Sequence, residues 1–388
     1  MENFNYYNPT KLIFGKNTVK LLGEEVKAAG IKKVILLYGK GSIFKNGVYD
    51  VVTSSLKENG IDFVELGGVK ANPVLSKVYE AIEVIGKEGA EAIVALGGGS
   101  VIDTSKAVAA GYYYNGDIWD VFEGKGKVEK ALPIFTVLTL SATGSEMNSG
   151  AVITKEEEKK KWSFGSPYTF PKASIVDPTV QFSLPDNQTV NGAVDAMSHV
   201  FELYFDGTKN SDMQDELSEG ILRTVMKHVE ILLQNPSNYA SRSELAWCST
   251  LALNGVNGIG RRGGDWASHS IEHSLSAFYD IAHGSGLAII FPAWMKYVYK
   301  EDLKKFERFA EKVFNITEGS SEEKALKAIE ELKGFYKKIG APVSLKDIGV
   351  KEEDLEKLAD NAAMSAPMGS LKTLKREDIL QIYKIAFE

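Results

Sequence analysis

Apolar residues fall into two rhythms along this chain. Up to about residue 185 they come in short β-rich runs that end at glycine, each followed by helical spacing. Val34–Tyr38 leads into Gly39-Lys40-Gly41-Ser42, Phe63–Leu66 into Gly67-Gly68, and Ala92–Leu96 into Gly97-Gly98-Gly99-Ser100. A helical pattern covers Pro73–Gly89, Phe135–Leu140 supplies another buried strand, and Lys11–Phe14 is the first. Near-continuous apolar strands separated by helices predict a parallel sheet covered on both faces. Ala151–Thr154 and Trp162–Phe164 flank the charged run Lys155–Lys161, a hairpin pattern with most of its lysines in water.

After Pro185 the period lengthens. Helices are expected over Gln188–Phe205, Asp212–Leu233, Ser241–Asn254, Trp266–Tyr279, Leu303–Val313, Ser321–Ile339 and Arg376–Phe387. Leu184-Pro185-Asp186-Asn187 marks the change, with Asp186 or Asn187 available as a cap. The expected architecture is an α/β, Rossmann-like dinucleotide-binding domain over residues 1–185, then an all-helical domain over 186–388. A cleft between them is the expected ligand site.

Composition narrows the class. The chain has 388 residues, 44% hydrophobic and 25% charged, ordinary globular values for a chain of two or three domains. Acidic residues outnumber basic ones, 52 to 45, and the net charge of −7 argues against nucleic acid or an anionic membrane as the main partner. The single cysteine, Cys248, rules out a disulfide within the chain and reads as a buried, inert thiol in a reducing compartment. Met1–Thr10 lacks the apolar core of a signal peptide. Leu287–Met295 is too short to cross a bilayer and contains Pro292. A cytoplasmic protein is expected.

Two loops carry candidate chemistry in the first half. Glycines at 97–99 would let a diphosphate approach the backbone, and the following helix, with Asp103 and Lys106, would offer free N–H groups. The spacing is not GxGxxG, so a plain tight turn competes with this reading. Thr139-Leu140-Ser141-Ala142-Thr143-Gly144-Ser145-Glu146 also leaves the end of a buried strand, and its hydroxyls suit ribose and phosphate. With loop 39–42 added, three polar loops gather at one sheet edge, where dinucleotides bind.

All five histidines lie in the second half. Asp195 and His199 are four apart, as are His269 and His273, so each pair shares a helix face. His283 follows before Gly284. Imidazoles with a carboxylate are a ligand set for Zn²⁺ or Fe²⁺. Either pair alone would more often be a surface or capping pair; together they point to a metal. His228 has no partner pattern and reads as structural, and Trp247 and Trp266 read as core.

This motif set resembles the iron-dependent (group III) alcohol dehydrogenases, closest to the butanol dehydrogenase branch with its broad aldehyde reductases. YGKGSIFKNGVYD, GGVKANPVLSKV, LTLSATGSEMNSGAVIT, NGAVDAMSHVFE and RRGGDWASHSIEHSLSA carry the likeness, which covers essentially the whole chain. It implies a dehydroquinate synthase-like fold, a homodimer, and straight-chain primary alcohols and aldehydes such as butanol and butanal as substrates. It implies metal ligation by Asp195, His199, His269 and His283, with Fe²⁺ favoured and Zn²⁺ an option. His273 would lie by the nicotinamide as a proton relay. Gly97, Gly98, Gly99 and Ser100 would hold the diphosphate, Thr139, Thr143 and Asp103 would lie near the cofactor, and Lys161 would reach the nicotinamide ribose. Lys40 and Glu272 depart from the commoner pattern, the first bearing on cofactor choice and the second on substrate preference.

In this reading the loop Gly39, Lys40, Gly41 and Ser42 has no acid to repel a 2′-phosphate, and Lys40 offers a positive charge. NADP(H) is therefore expected to be favoured, with NAD(H) accepted. The competing class is a dehydroquinate-synthase-like lyase, which needs Lys, Arg and Asn residues for a phosphorylated substrate. Only Arg261-Arg262 offers itself.

Overall fold

The computed structural model describes residues 1–388. Its strands, in chain order, are β1 (Lys11–Phe14), β2 (Lys33–Tyr38), β3 (Asp62–Leu66), β4 (Ala92–Gly97), β5 (Ile134–Leu138), β6 (Gly150–Lys155), β7 (Lys160–Gly165) and β8 (Ala173–Val176). β6 and β7 pair antiparallel as the expected hairpin. The other six form one sheet in the order β1-β8-β5-β4-β2-β3, with every pair parallel.

The central strands are apolar on both faces because both faces are covered. Ile35, Leu37, Ile93 and Ala95 pack with Val78, Ala81 and Ile85 of the helix Leu75–Glu88. The alternate residues Val34, Leu36, Val94 and Leu96 pack with Val26 of the helix Leu22–Ala28 and with Val52 and Leu56 of the helix Val48–Glu58. The period of two divides the sheet's apolar residues between these layers. Each fully buried Val, Leu or Ile contributes about 1.5–3 kcal/mol. After β2 the chain steps outward to β3, then returns past β2 to β4 and continues the other way. The reversal lies between β2 and β4, so the loops 39–42 and 97–100 diverge at the switch point of the sheet.

The chain forms two compact units. One comprises Tyr7–Leu184 with Asn235–Thr250; the other comprises Met1–Tyr6, Pro185–Gln234 and Leu251–Glu388. This grouping differs from a single division at 185 in two segments. Most of the helix Tyr239–Leu253 belongs with the sheet, where Thr250 donates from its hydroxyl to Glu146 Oε1 at 2.6 Å.

The helical unit is organised around Asp186–Tyr204, which is buried along its whole second half. Pro185, not Asp186 or Asn187, occupies the cap position, and Asp186 opens the first turn, where a negative charge suits the helix dipole. Asp212–Gln234, Ala267–Tyr279, Leu303–Phe314, Ser321–Lys338 and Arg376–Phe387 stand close to expectation. His283–Val298 and Leu355–Ala362 are additional helices. The first is buried almost all round, so it has no polar face and no amphipathic period to announce it. The strand β8, Ala173–Val176, is a further element beyond those expected. No helix is long and apolar enough to cross a membrane.

Candidate active site

At the adjacent carboxyl ends of β2, β4 and β5, the three polar loops leave the same sheet edge. A Cβ on Gly97 would fall 2.4 Å from Val101 Cγ2, and one on Gly99 would fall 2.5 Å from Thr143. Neither position accepts a side chain, so the turn stays bare to an approaching group. The helix Gly99–Gly111 begins there with Gly98 as its cap, and its first N–H groups have no partner within the helix. The N–H of Thr139 donates to Gly97 O at 3.0 Å, tying the second loop to the first. Ser100 donates from its hydroxyl to Ala71 O, and Thr143 Oγ1 accepts the N–H of Ser145. Gly39 O accepts the N–H of Gly68 at 2.7 Å, while Lys40, Gly41 and Ser42 are exposed.

Asp103 and Lys106 turn inward from the same helix. Asp103 accepts from Ser145 Oγ at 2.6 Å and from the N–H of Val152 at 3.0 Å. Lys106 Nζ donates to Ser145 Oγ, Asn148 Oδ1 and Gly150 O at 2.8–2.9 Å. Burial raises the Asp103 carboxyl and lowers the Lys106 ammonium to about 8, and attraction between the two opposes both shifts. Three acceptors match the three donors of an ammonium. Both carboxylate oxygens of Asp103 are engaged in bracing the second loop and the hairpin. Lys161 is buried on β7 and donates to Asn72 Oδ1 at 3.1 Å.

The second cluster is built from side chains on three helices. Asp186–Tyr204 carries Asp195, His199 and, two turns beyond Asp195, Glu202. Ala267–Tyr279 carries His269, Glu272 and His273, and His283 opens the helix His283–Val298. Donor atoms of Asp195, His199 and His269 lie within 4.8 Å of one another. Asp195 Oδ1 is 4.0 Å from His199 Nε2 and 3.7 Å from His283 Nε2. Ring centroids are 4.9 Å apart for His199 and His269, 5.2 Å for His269 and His283, and 5.6 Å for His283 and His273.

Two carboxylates not singled out as part of this centre stand behind these rings. Glu202 Oε1 is 2.7 Å from His269 Nδ1, and Glu202 also accepts the backbone N–H groups of His269 and Trp266. Glu272 Oε2 binds His283 Nδ1. A carboxylate on Nδ1 selects the tautomer whose Nε2 lone pair is free to bind a metal. The signal for Glu202 was its spacing of seven from Asp195, which returns it to one helix face. Glu272 and His283 meet across a helix junction, where spacing carries no information.

His269 Nε2 and His199 Nδ1 are buried without a hydrogen-bond partner. Burial, with the neighbouring rings of His269 and His283, holds His199 well below the ordinary imidazole range, so it stays neutral. Imidazoles around a carboxylate, among them the neutral His199 and a buried ring nitrogen of His269 without a partner, fit a divalent cation.

Other residues lie elsewhere. His228 is on the helix Asp212–Gln234, outside the donor groups. Cys248 is buried, and burial pushes its thiol up to about 12. Trp247 is 40% exposed against Phe14, so it is not a core residue. Trp266 is half-buried, has a left-handed backbone with φ 62°, and its ring centroid lies 5.3 Å from that of His269. Arg261 is buried on Asp215 at 3.1 Å and is spoken for structurally, which removes it as a phosphate-binding group for the lyase reading.

The iron-containing alcohol dehydrogenase model matches residues 9–178, and the C-terminal model of the Fe-containing alcohol dehydrogenase family matches residues 189–387. The chain is 46% identical over 386 residues to a probable NADH-dependent butanol dehydrogenase 1 of Bacillus subtilis (strain 168), covering 99% of both chains. It is 38% identical over 356 residues to the NADPH-dependent aldehyde reductase YqhD of Escherichia coli (strain K12), covering 90% of both. A crystal structure of NADH-dependent butanol dehydrogenase A from Thermotoga maritima superposes with a TM-score of 0.98 at 57% identity, over 100% of this chain and 99% of that one. Matched in both halves and along its whole length, the chain belongs to the iron-containing alcohol dehydrogenase family, in the branch of butanol dehydrogenases and aldehyde reductases, and is a nicotinamide-linked oxidoreductase of alcohols and aldehydes.

Proposed function

We propose that this enzyme interconverts straight-chain primary alcohols and their aldehydes, of the butanol and butanal type, with NADP(H) favoured over NAD(H). Asp195, His199, His269 and His283 would hold a divalent metal, with Fe²⁺ favoured and Zn²⁺ accepted by the same donors. The observation that carries this reading is the buried, unpartnered Nε2 of His269 beside Asp195 and His199. When bound, the cation supplies Lewis acidity toward a substrate oxygen and the nicotinamide carries the hydride.

The chain's own residues supply orientation and proton handling. Glu202 keeps the proton on His269 Nδ1, so Nε2 remains a donor to metal. Gly97, Gly98, Gly99 and Ser100 receive the diphosphate at the helix start, next to Thr139 and Thr143. Lys161, held by Asn72, is the cation assigned to the nicotinamide ribose. His273, half-buried, passes the alcohol proton toward solvent, a task suited to an imidazole near neutral pH.

NADP(H) preference is supported by the loop after β2, in which Gly39, Lys40, Gly41 and Ser42 include no acid and Lys40 is exposed. The relatives' names include both nicotinamides. A homodimer is supported by β1, which pairs only with β8 at the sheet edge, and by the exposed aromatics Phe4, Tyr6 and Tyr7 nearby in sequence. Light scattering tests it. The single cysteine, Cys248, supports a reducing cytoplasmic setting.

The test is a panel of aldehydes and alcohols with both nicotinamides, on protein reconstituted with Fe²⁺ or Zn²⁺. Net NADPH consumption with butanal is expected. A kcat/KM favouring NADH would overturn the cofactor preference, and no reduction of any straight-chain aldehyde would overturn the substrate class.

A further inference from the structure

We infer that Glu272 is a positioning residue for the metal centre: through the Nδ1 atom of His283 it sets how firmly that ring is held as a donor. The inference rests on the metal reading above and adds a residue to it. The two carboxylate–imidazole pairs are unequal. His269 is buried, and its partner Glu202 is anchored by two backbone N–H groups. The His283 side chain is 24% exposed and stands first in its helix. A ring near solvent at a helix start has several rotamers open to it. A carboxylate on Nδ1 chooses among them and aims Nε2 toward Asp195 Oδ1, 3.7 Å away.

Glu272 is built for this purpose and not for solvent. It is fully buried, and a buried carboxylate is costly unless its oxygens are engaged. One oxygen accepts from Ser276 Oγ at 2.5 Å and the other takes His283 Nδ1. The fold keeps a slot for it. A Cβ on Gly286 would fall 2.5 Å from Glu272 Oε1 and 2.6 Å from its Cγ, so a side chain at 286 displaces the carboxylate. Glu272 lies on the Nδ1 side of the ring, whereas Asp195 lies on the Nε2 side. That opposition makes it a support of His283 and not a fifth ligand.

The experiment compares the full-length enzyme with Glu272→Gln, Glu272→Ala, Gly286→Ala and His269→Ala. Zn²⁺ affinity is measured by competition with a chelating dye, the visible spectrum is recorded on Co²⁺-substituted protein, and the melting temperature is recorded for metal-free samples. Glu272→Ala is expected to weaken Zn²⁺ binding about 10- to 100-fold and to shift the Co²⁺ bands. Glu272→Gln keeps an acceptor for Nδ1–H and is expected to recover part of the loss. Gly286→Ala is expected to reproduce the effect while leaving every donor in place. Metal-free melting temperatures close to wild type for Gln and Gly286→Ala separate positioning from folding.

Zn²⁺ affinity within about twofold of wild type and an unchanged Co²⁺ spectrum in Glu272→Ala and Gly286→Ala overturn the inference. So does a Gln variant as impaired as Ala, which would make Glu272 a ligand. His269→Ala separates the two levels. If it loses metal while the Glu272 variants bind normally, only the positioning role falls; if it retains full metal, the metal reading falls and takes this inference with it.

Discussion

The loops proposed for the nucleotide and the cluster proposed for the metal are built from different materials. At the sheet edge the site is made of backbone. Gly97 and Gly99 exclude side chains, the helix start supplies N–H groups, and Asp103 and Lys106, joined through Ser145, are spent inside, bracing the loop. In the helical unit the site is made of side chains. Asp195, His199 and His269 stand together, His283 approaches Asp195 from a third helix, and two further carboxylates hold two of the rings from behind. A backbone site is damaged by adding atoms; a side-chain site is damaged by removing them. The two should therefore fail separately, and to different measurements.

The largest effect is expected from Asp195→Ala. Losing the carboxylate among the imidazoles should cost the metal, and with it about 10³-fold or more in kcat/KM, since Lewis-acid stabilisation is worth several kcal/mol. His228→Ala should alter neither. Metal content per chain and kcat/KM for both variants decide this, and full metal occupancy in the Asp195 variant would break the side-chain half of the comparison.

Legibility followed the same divide. The glycine loops could be read because a turn that excludes side chains leaves glycines in the chain, and the strands feeding them are apolar on both faces. The pairs Asp195 with His199 and His269 with His273 could be read as spacings of four on a helix, and His283 by its place before a glycine; the choice of His283 over His273 for the metal rests on the family resemblance. The supports could not. Glu202 resembles any acid on a helix until seven residues are counted from Asp195. Glu272 attracts notice only as an odd neighbour of His273, because its partner lies beyond a helix junction. The partners of Asp103, Ser145 and the N–H of Val152, lie more than forty residues away, so its bracing of the loop network had no local signal. Trp247 looked like core and is 40% exposed. Hydrophobicity alone does not tell a core indole from one packed on an edge-strand phenylalanine.

Next in size is Lys106→Met. It leaves Ser145 Oγ, Asn148 Oδ1 and Gly150 O without their buried ammonium donor, a loss of roughly 1.5–3 kcal/mol for each such bond. The urea midpoint should fall, with nucleotide binding weakened as the 143–150 segment loosens. The pH dependence sharpens the point. Burial lowers Lys106 to about 8, from 10.5 for the free side chain. Between those values the unfolded chain holds one more proton than the folded one, so this residue's contribution to stability rises with pH from about 8 to 10.5. That rise should be absent in Lys106→Met.

Gly99→Ala is expected to have a smaller effect, on one side only. Its Cβ would lie 2.5 Å from Thr143, and such overpacking costs about 1–3 kcal/mol, or roughly 5- to 150-fold in NADPH affinity if the loop yields. Calorimetric titration with NADPH should show the loss while metal content stays at wild type. Metal loss in this variant would mean that the two halves are not separable.

The central claim is that nucleotide binding belongs to the sheet edge and chemistry to the metal donors. It is tested most directly by stripping the wild-type enzyme with a chelator and measuring NADPH affinity by fluorescence beside butanal turnover. The account predicts that affinity stays within about twofold while kcat falls about 10³-fold or more, and that Fe²⁺ or Zn²⁺ restores turnover. Undiminished butanal reduction by the metal-free protein would contradict it.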